Sequence, residues 1–237
     1  MFDKTIGILG GMGATATAVL FSRLISLSQQ RYGAKEDRDF PKVILMNLPL
    51  AYIDSTGRSG ENEEQWLDEV ERALQTLEKS GAELIVVNCN TIHVHWQRLQ
   101  ASVSVPLINL IQEVADVAVL RGSQNVGVLA SQETIDKKLY ENALRTQDIE
   151  VVTPTRIEQQ TITDTIAAVM AGRVEKKHIE LVGHIITHMR HTGADTVIFG
   201  CTELSALYTS LVDSHSIIDS VEVAAERLLV CTRKEQS

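Results

Sequence analysis

An internal repeat constrains the fold of this chain more than any other feature of its sequence. Residues 80–92, SGAELIVVNCNTI, align with residues 192–204, TGADTVIFGCTEL, at a constant offset of 112 positions. In both copies a Gly-Ala pair precedes an apolar run, and a cysteine, Cys89 or Cys201, follows it. A chain that repeats such a unit is expected to fold as two similar halves.

Short apolar runs alternate with amphipathic stretches along both halves. The predicted strands are Thr5–Leu9, Lys42–Met46, Leu84–Val87, Pro106–Ile108, Asn125–Leu129, Glu150–Thr153 and Thr196–Phe199. Several are apolar almost throughout, as strands buried on both faces must be. Apolar residues at helical spacing predict helices over 63–79 and 175–191, which also correspond at the offset of the repeat. The alternation predicts an α/β fold with parallel sheets covered by helices.

The repeat also sets the predicted domain boundaries. The first α/β domain is expected to hold residues 1–105 together with 208–237, because a C-terminal helix over Val221–Val230 can pack back on the first half. The second α/β domain is expected to span residues 106–207. No low-complexity linker separates the halves, so they are expected to share a tight interface.

Composition limits the classes of binding partner and the cellular compartment that are expected for this chain. The 237 residues carry a formal net charge of −9 and scattered basic residues, so nucleic acid is not an expected partner. Three widely spaced cysteines indicate a reducing compartment rather than a disulfide framework. The apolar N-terminal stretch contains four glycines, which favours a strand and turn over a signal peptide. Without a run of 18 apolar residues, a cytoplasmic protein with no membrane partner is expected.

Each half places a cysteine at the carboxyl end of a predicted strand. Open α/β sheets bind ligands at this end, and a pseudo-two-fold between the halves would bring Cys89 and Cys201 to opposite sides of one cleft. An isolated cysteine after an apolar run is usually a core residue, but small polar residues follow both of these. Two facing thiols suit proton transfer at a carbon, one as thiolate base and the other as acid. A strand-to-helix turn after each is expected to lower the thiol pKa.

Two other interpretations of the first cysteine remain open at this stage. Cys89, His93 and His95 could be metal ligands, but their spacing is poor for a structural zinc site, and no metal is predicted. A disulfide between Cys89 and Cys201 is disfavoured in a reducing compartment. Because the two histidines are two positions apart, at most one of them can face the cleft.

A glycine-rich turn, GILGGMGATAT, follows the first predicted strand. Its spacing does not meet the dinucleotide fingerprint, and no acidic residue ends the second strand where a ribose contact is needed. The turn is instead expected to let backbone N–H groups around Gly11 and Met12 approach a small anion such as a carboxylate. The matching segment of the second half offers the hydroxyls of Ser131 and Thr134, which could bind a carboxylate or cap a helix.

Three motifs together resemble the aspartate/glutamate racemase family, in particular its aspartate racemase branch. They are IGILGGMG at the start, CNT-x-H at 89–93 and GCTEL at 200–204, in matching order and spacing over nearly the whole chain. The resemblance implies two flavodoxin-like domains with the active site between them, often in a homodimer. It also implies racemisation of a small-molecule amino acid without pyridoxal phosphate or a metal, and therefore with no cofactor.

The resemblance implies a role for residues in two of these motifs. Cys89 and Cys201 correspond to the two acid/base cysteines, each serving one enantiomer. Asn90, Thr91 and Thr202 correspond to ligands of the α-carboxylate of the substrate.

The chain departs from the aspartate racemase pattern at two positions. Similar aspartate racemases carry an arginine after the second strand and a lysine in a helix of the second domain. Both of these cations bind the side-chain carboxylate of the substrate. Here those places hold Asp54 and Met170, unless Arg58 or Arg173 faces the substrate instead. The resemblance makes aspartate or glutamate the default substrate, but an acid at this place would repel a carboxylate, which suggests a different amino acid, polar or basic. A cis–trans isomerase or decarboxylase of small diacids, and a non-catalytic amino-acid-binding protein, remain alternatives.

Overall fold

Two parallel sheets of four strands form the framework of the protein. The computed structural model describes residues 2–50, 62–211 and 216–233. Its strands are β1 (Ile6–Gly10), β2 (Val43–Asn47), β3 (Leu84–Val87), β4 (Leu107–Ile108), β5 (Asn125–Leu129), β6 (Glu150–Val152), β7 (Thr196–Phe199) and β8 (Ile217–Asp219). The strand orders are β2-β1-β3-β4 and β6-β5-β7-β8, and every pair is parallel. The predicted α/β fold with two similar halves is confirmed.

Helices connect the strands in both halves. They are α1 (Ala14–Tyr32), α2 (Glu63–Lys79), α3 (Trp96–Ala101), α4 (Leu110–Leu120), α5 (Gln132–Asp136), α6 (Leu139–Leu144), α7 (Arg156–Met170), α8 (Lys176–His191) and α9 (Ser220–Thr232). α2 and α8 confirm the two helices predicted from apolar spacing. Short 3-10 segments, Thr91–His95 and Thr202–Ser210, follow β3 and β7. Over the described ranges, none of the helices has both the length and the apolar composition to cross a membrane.

Both sheets are covered on both faces. A central core lies between the two sheets and draws on β1, β3, β5 and β7 together with α1, α4, α6 and α9. Two outer cores lie beneath α2 in the first half and beneath α7 and α8 in the second. Along β3, Leu84 and Val86 enter the central core while Ile85 and Val87 enter an outer one. This burial on both faces is the reason that the strand is apolar throughout.

The helices between the sheets reproduce the repeat in three dimensions. α4 follows β4 and α9 follows β8, so they are corresponding helices, and they pack against each other. α9 also packs on α1 of the first half, while α4 packs on α6 of the second. The last helix of each half therefore packs against the other half, as expected for two halves related by a pseudo-two-fold axis.

Strand pairing divides the chain differently from the predicted domain boundaries. β4 pairs with β3 in the first sheet, whereas the boundary at residue 106 assigns it to the second domain. β8 pairs with β7 in the second sheet, whereas residues 208–237 are assigned to the first domain. β8 is missing from the predicted strands because three residues are too few to show a period. The C-terminal helix nevertheless packs on the first half, as predicted.

Replacing Leu228 of α9 by alanine tests the central core. Leu228 is fully buried there, so losing its apolar contacts and leaving a cavity should lower the free energy of unfolding by about 2–5 kcal/mol. Val230 lies two residues further along the same helix and is 54% exposed, so Val230→Ala should change it by less than about 0.5 kcal/mol. Urea denaturation followed by circular dichroism measures both. Equal losses in the two variants would contradict this placement of α9.

Candidate active site

A pocket lies between the two halves, at the carboxyl ends of the strands of both sheets. Its lining consists of Gly11, Met12, Leu50, Cys89, Asn90, Thr91, Ser131, Ile166, Met170, Cys201, Thr202 and Glu203. Residues that directly follow β1, β3, β5 and β7 contribute most of these side chains. This edge is where parallel sheets place their ligands, and it brings both predicted cysteines into one cavity.

Most of the predicted substrate-binding residues line this pocket, but a few do not. Met170 lies at its mouth and is 50% exposed, so it stays accessible to a bound ligand. Thr134 is buried behind Ser131 and is not part of the lining. Asp54, with Arg58, lies outside the described residues. Arg173 is exposed after the end of α7 and does not line the pocket.

Cys89 is held by the tight turn that follows β3. It is 5% exposed, and the backbone N–H groups of Thr91 and Ile92 and the Thr91 hydroxyl act as donors that lower the pKa of its thiol. Burial, followed by the negative charge of Glu203, outweighs these donors and raises the pKa of the Cys89 thiol to about 12. The expectation of a lowered thiol pKa is therefore wrong: the donors are present, but desolvation is larger.

Cys201 has a different environment at the corresponding position of the second half. It is 8% exposed, and its thiol donates a hydrogen bond to Oε2 of Glu203 at 3.0 Å. Burial, with the charge and the hydrogen bond of this carboxylate, raises the pKa of Cys201 well above its ordinary value. Both Cys89 and Cys201 are free thiols, so the disulfide interpretation does not apply.

Glu203 is a site residue that the sequence analysis missed. It is buried, and its Oε1 accepts the N–H of Gly13 at 3.1 Å while its Oε2 accepts the hydroxyl of Thr202 at 3.3 Å in addition to the Cys201 thiol. The motif GCTEL could have identified it, because a glutamate so close to the end of a buried strand needs polar partners, which a cleft provides. Within the described part of the chain, no lysine, arginine or histidine lines the pocket.

The glycine turn after β1 binds anionic and polar groups of the protein itself. The N–H of Gly11 donates to Oγ1 of Thr17 at 3.0 Å, and the N–H of Gly13 donates to Glu203. Gly11 has φ +98°, and a Cβ there would lie 2.3 Å from the carbonyl oxygen of Leu48, so only glycine fits. The turn thus binds a carboxylate of the protein through Gly13, and the Gly11 amide has Thr17 as its partner, while substrate binding by Gly11 and Met12 stays a prediction.

Three buried hydroxyls meet where the halves touch. Oγ1 of Thr91 lies 2.8 Å from Oγ of Ser131 and 3.1 Å from Oγ1 of Thr134, and the last two are 3.0 Å apart. Ser131 also caps α5 by accepting the N–H of Thr134 at 3.3 Å. The capping role weighed from the sequence is therefore present, and the Ser131 side chain faces the pocket as well.

Asn90 joins the first half to the second through its side-chain amide. Its Nδ2 donates to Oγ of Ser220 at 3.0 Å, and its Oδ1 accepts the phenolic hydroxyl of Tyr140 at 2.7 Å. All three side chains are buried, so these bonds fix the orientation of Asn90 beside Cys89.

Comparison with known proteins agrees with this geometry. The family model described as Asp/Glu/hydantoin racemase matches residues 9–228. The chain belongs to this family. Family membership makes the protein a racemase and confirms the resemblance found in its motifs.

Relatives and solved structures match this racemase over nearly its whole length. The broad specificity amino-acid racemase RacX of Bacillus subtilis is 28% identical over 215 residues, which are 91% of this chain and 92% of that protein. The structure of Picrophilus torridus aspartate racemase superposes with a TM-score of 0.82 at 26% identity, covering 99% of this chain and 96% of that one. An aspartate racemase homologue from Pyrococcus horikoshii gives 0.78 at 26% identity, with 98% and 100% covered.

The two histidines after the first cysteine of the racemase lie outside the pocket lining. The backbone N–H of Leu110 donates to Nε2 of His93 at 3.1 Å, so Nδ1 bears the proton and donates to the carbonyl of Cys89 at 2.8 Å. His95 packs edge-on against Trp66, with ring centroids 5.3 Å apart. Across the described residues, no group of three metal-ligating side chains converges. His93 thus supports the Cys89 turn from the start of α4.

The free energy of unfolding of this racemase should depend on pH through His93. Burial lowers the pKa of His93 in the folded protein, so the unfolded chain binds the proton first as the pH falls. The stabilisation that neutral His93 gives to the folded protein is therefore complete above the ordinary histidine pKa of about 6.5. Below that pH the free energy of unfolding decreases, by at most about 1.4 kcal/mol per pH unit.

Urea denaturation between pH 7.5 and 5.5 measures this dependence. His93→Gln should flatten the decrease below pH 6.5. His184→Gln, at an exposed position, should keep the wild-type slope. A His93→Gln slope equal to that of the wild type would contradict a neutral, buried His93.

Proposed function

We propose that this racemase interconverts L- and D-amino acids by a two-cysteine, two-base proton transfer at Cα, without a cofactor. The supporting observation is that Cys89 and Cys201 line one pocket from opposite halves, each directly beyond a strand at the same position of the repeat. A racemase must remove a proton from one face of the substrate and deliver one to the other. Two thiols that come from opposite halves meet that requirement.

In the proposed reaction, one cysteine is a thiolate and the other a thiol when the substrate binds. The thiolate takes the Cα proton, and the electron pair of the C–H bond remains on the substrate as a carbanion. The opposite thiol then gives its proton to the other face of Cα. The enantiomer has formed and the two cysteines have exchanged protonation states, so the reverse reaction starts from the other thiolate.

The raised pKa values of the thiols are compatible with this role. Burial makes the thiolates of Cys89 and Cys201 rare in the empty pocket, but a thiolate of high pKa is a stronger base once it has formed. The α-ammonium group of a bound amino acid brings positive charge beside Glu203. That charge offsets the carboxylate and favours ionisation of a thiol, as an opposite charge at short range does.

Hydroxyl and amide groups of the lining are the proposed ligands of the α-carboxylate. Thr91 and Ser131 line the pocket with hydroxyls 2.8 Å apart, and a ligand can compete for the hydrogen bonds that they make with one another and, for Thr91, with Cys89. Thr202 and Asn90 lie beside the two cysteines, although the amide of Asn90 is held by the second half. Fixed donors of this kind stabilise the charge that develops when the Cα proton leaves.

The charge of the pocket favours a substrate whose side chain is not acidic. Glu203 contributes a carboxylate, and the described lining contains no cation that could pair with a second one. Leu50, Ile166 and Met170 provide an apolar wall instead. We therefore propose a polar or basic amino acid as substrate. The name of the Bacillus subtilis relative, a broad specificity amino-acid racemase, agrees with a range beyond aspartate and glutamate. A homodimer and a cytoplasmic location remain predictions.

Alanine at either pocket cysteine should abolish racemisation. Cys89→Ala and Cys201→Ala each remove one acid/base group, which is expected to lower kcat by about a hundredfold or more. Each variant should still exchange the Cα proton of one enantiomer with deuterium from solvent, and the favoured enantiomer should differ between the two. Chiral chromatography and proton NMR in D₂O measure these rates. Cys231→Ala, outside the pocket, is the control with wild-type activity. Full racemisation by both single variants would refute the assignment.

A chirality-resolved assay of all proteinogenic amino acids tests the substrate class. Lysine, arginine or a neutral polar amino acid should react faster than aspartate. Met170→Lys should raise kcat/KM for aspartate about tenfold, equivalent to about 1.4 kcal/mol, because it adds a cation at the pocket mouth. Ile157→Lys, at an exposed position of the same helix α7, is the matched control and should leave the preference unchanged. Aspartate as much the best substrate of the wild type, with lysine, arginine and neutral amino acids inert, would rule out the proposed class.

A further inference from the structure

The two pocket cysteines occupy equivalent positions of the repeat, but the side chains that act on their sulfurs differ. Two backbone N–H groups and the hydroxyl of Thr91 act as donors towards the Cys89 sulfur. The backbone N–H of Glu203 is a donor towards the Cys201 sulfur as well, but the Cys201 thiol donates its own proton to Oε2 of Glu203 at 3.0 Å. Donors that point at a sulfur stabilise its thiolate, whereas an acceptor carboxylate stabilises its thiol.

The difference comes from a single position of the repeat. Thr91 and Glu203 correspond at the offset of 112, so a hydroxyl donor stands beside one cysteine and a carboxylate acceptor beside the other. Glu203 has little freedom to turn away, because its Oε1 is bonded to the N–H of Gly13 in the first half. Replacing the Cys201 thiol by a thiolate would leave two negative groups in contact inside a buried pocket.

The other titratable groups near these sulfurs do not reverse the difference. Cys201 interacts electrostatically with Cys89 and with the phenol of Tyr140, neither of which is a cation. Cys89 interacts with the charge of Glu203 as well, but the donors of the Thr91 turn act on its sulfur in the opposite direction.

We propose that Glu203 is a positioning residue that keeps the proton on Cys201, so that Cys89 is the thiol that ionises first and is the base of the resting enzyme. The proposal rests on the two-cysteine function, although the protonation order is a property of the free protein. The enantiomer whose Cα proton faces Cys89 can react with the resting enzyme directly, because Cys89 is already the thiolate. The other enantiomer reacts only after the proton has moved from Cys201 to Cys89.

This asymmetry has a defined kinetic form. L- and D-enantiomers have equal free energies, so kcat/KM must be the same in both directions. A preferred resting state therefore appears as different kcat values and different KM values for the two enantiomers, with equal ratios. Glu203→Gln should bring the two kcat values closer together, which a purely structural role of Glu203 would not do.

Alkylation of the wild-type protein by iodoacetamide tests the order of ionisation directly. The reagent attacks thiolates, and peptide mass spectrometry gives separate rates for Cys89 and Cys201 between pH 7.5 and 9.5. Cys89 should react about tenfold faster, although Cys201 is slightly the more exposed of the two. Equal rates, a faster Cys201, or no reaction at either thiol would overturn the proposal.

Glu203→Gln isolates the carboxylate. The alkylation rate of Cys201 should rise about tenfold, and by more than that of Cys89, because one unit of thiol pKa changes the thiolate fraction tenfold. Glu113→Gln removes a carboxylate that pairs with Arg227 outside the pocket and should leave both rates unchanged. An unchanged Cys201 rate in a folded Glu203→Gln protein, checked by circular dichroism, would also overturn the proposal.

A second variant keeps the test independent of the folding of Glu203→Gln. Thr91→Val removes the hydroxyl donor to Cys89 and should slow alkylation of Cys89 alone. A slower Cys201 with an unchanged Cys89 would count against the proposed order. Failure of the two-cysteine mechanism would appear elsewhere, as racemisation by Cys201→Ala, while the alkylation rates would still report the effect of Glu203.

Discussion

The apolar contact between the two sheets is the interaction on which the rest of the structure depends. It joins inward-facing residues of β1, β3, β5 and β7 with four helices in one continuous core. Polar contacts lie at the edge of this core, where Asn90 bonds Tyr140 and Ser220 and where Thr91 meets Ser131. Hydrogen bonds alone contribute little net stability, so the pocket keeps its shape because hydrophobic burial holds the halves together.

The same burial sets the chemistry of the pocket. Removing water from the two thiols raises their pKa values, and it strengthens every remaining charge interaction, including those of Glu203. A cleft fully open to solvent would screen the carboxylate, and the two cysteines would then be nearly equivalent. Burial makes one carboxylate sufficient to distinguish two sites that the repeat would otherwise make alike.

The sequence predicts much of this molecule because the repeat and the strand pattern are local signals. It identifies β3, β7 and both cysteines, and the family resemblance adds the threonines that line the pocket. It does not reveal that β8 belongs to the second sheet, because a three-residue strand has no period of its own. It also misjudges the thiol pKa values, since the turn donors are visible in the sequence whereas the depth of burial is not. Glu203 escapes notice for a related reason: only the folded chain shows that its partner is the amide of Gly13.

The exchange of terminal helices has a consequence for how the protein is made. α9 is synthesised after every other helix described here, yet it packs on α1, which is among the first. The segment before β1 also meets the end of α9, where the N–H of Asp3 donates to the carbonyl of Thr232 at 2.9 Å. Contacts of such long sequence separation form late, so a ribosome-bound chain that lacks α9 has an open central core. Both cysteines are then already translated, but the core that joins their two halves is complete only with the last helix.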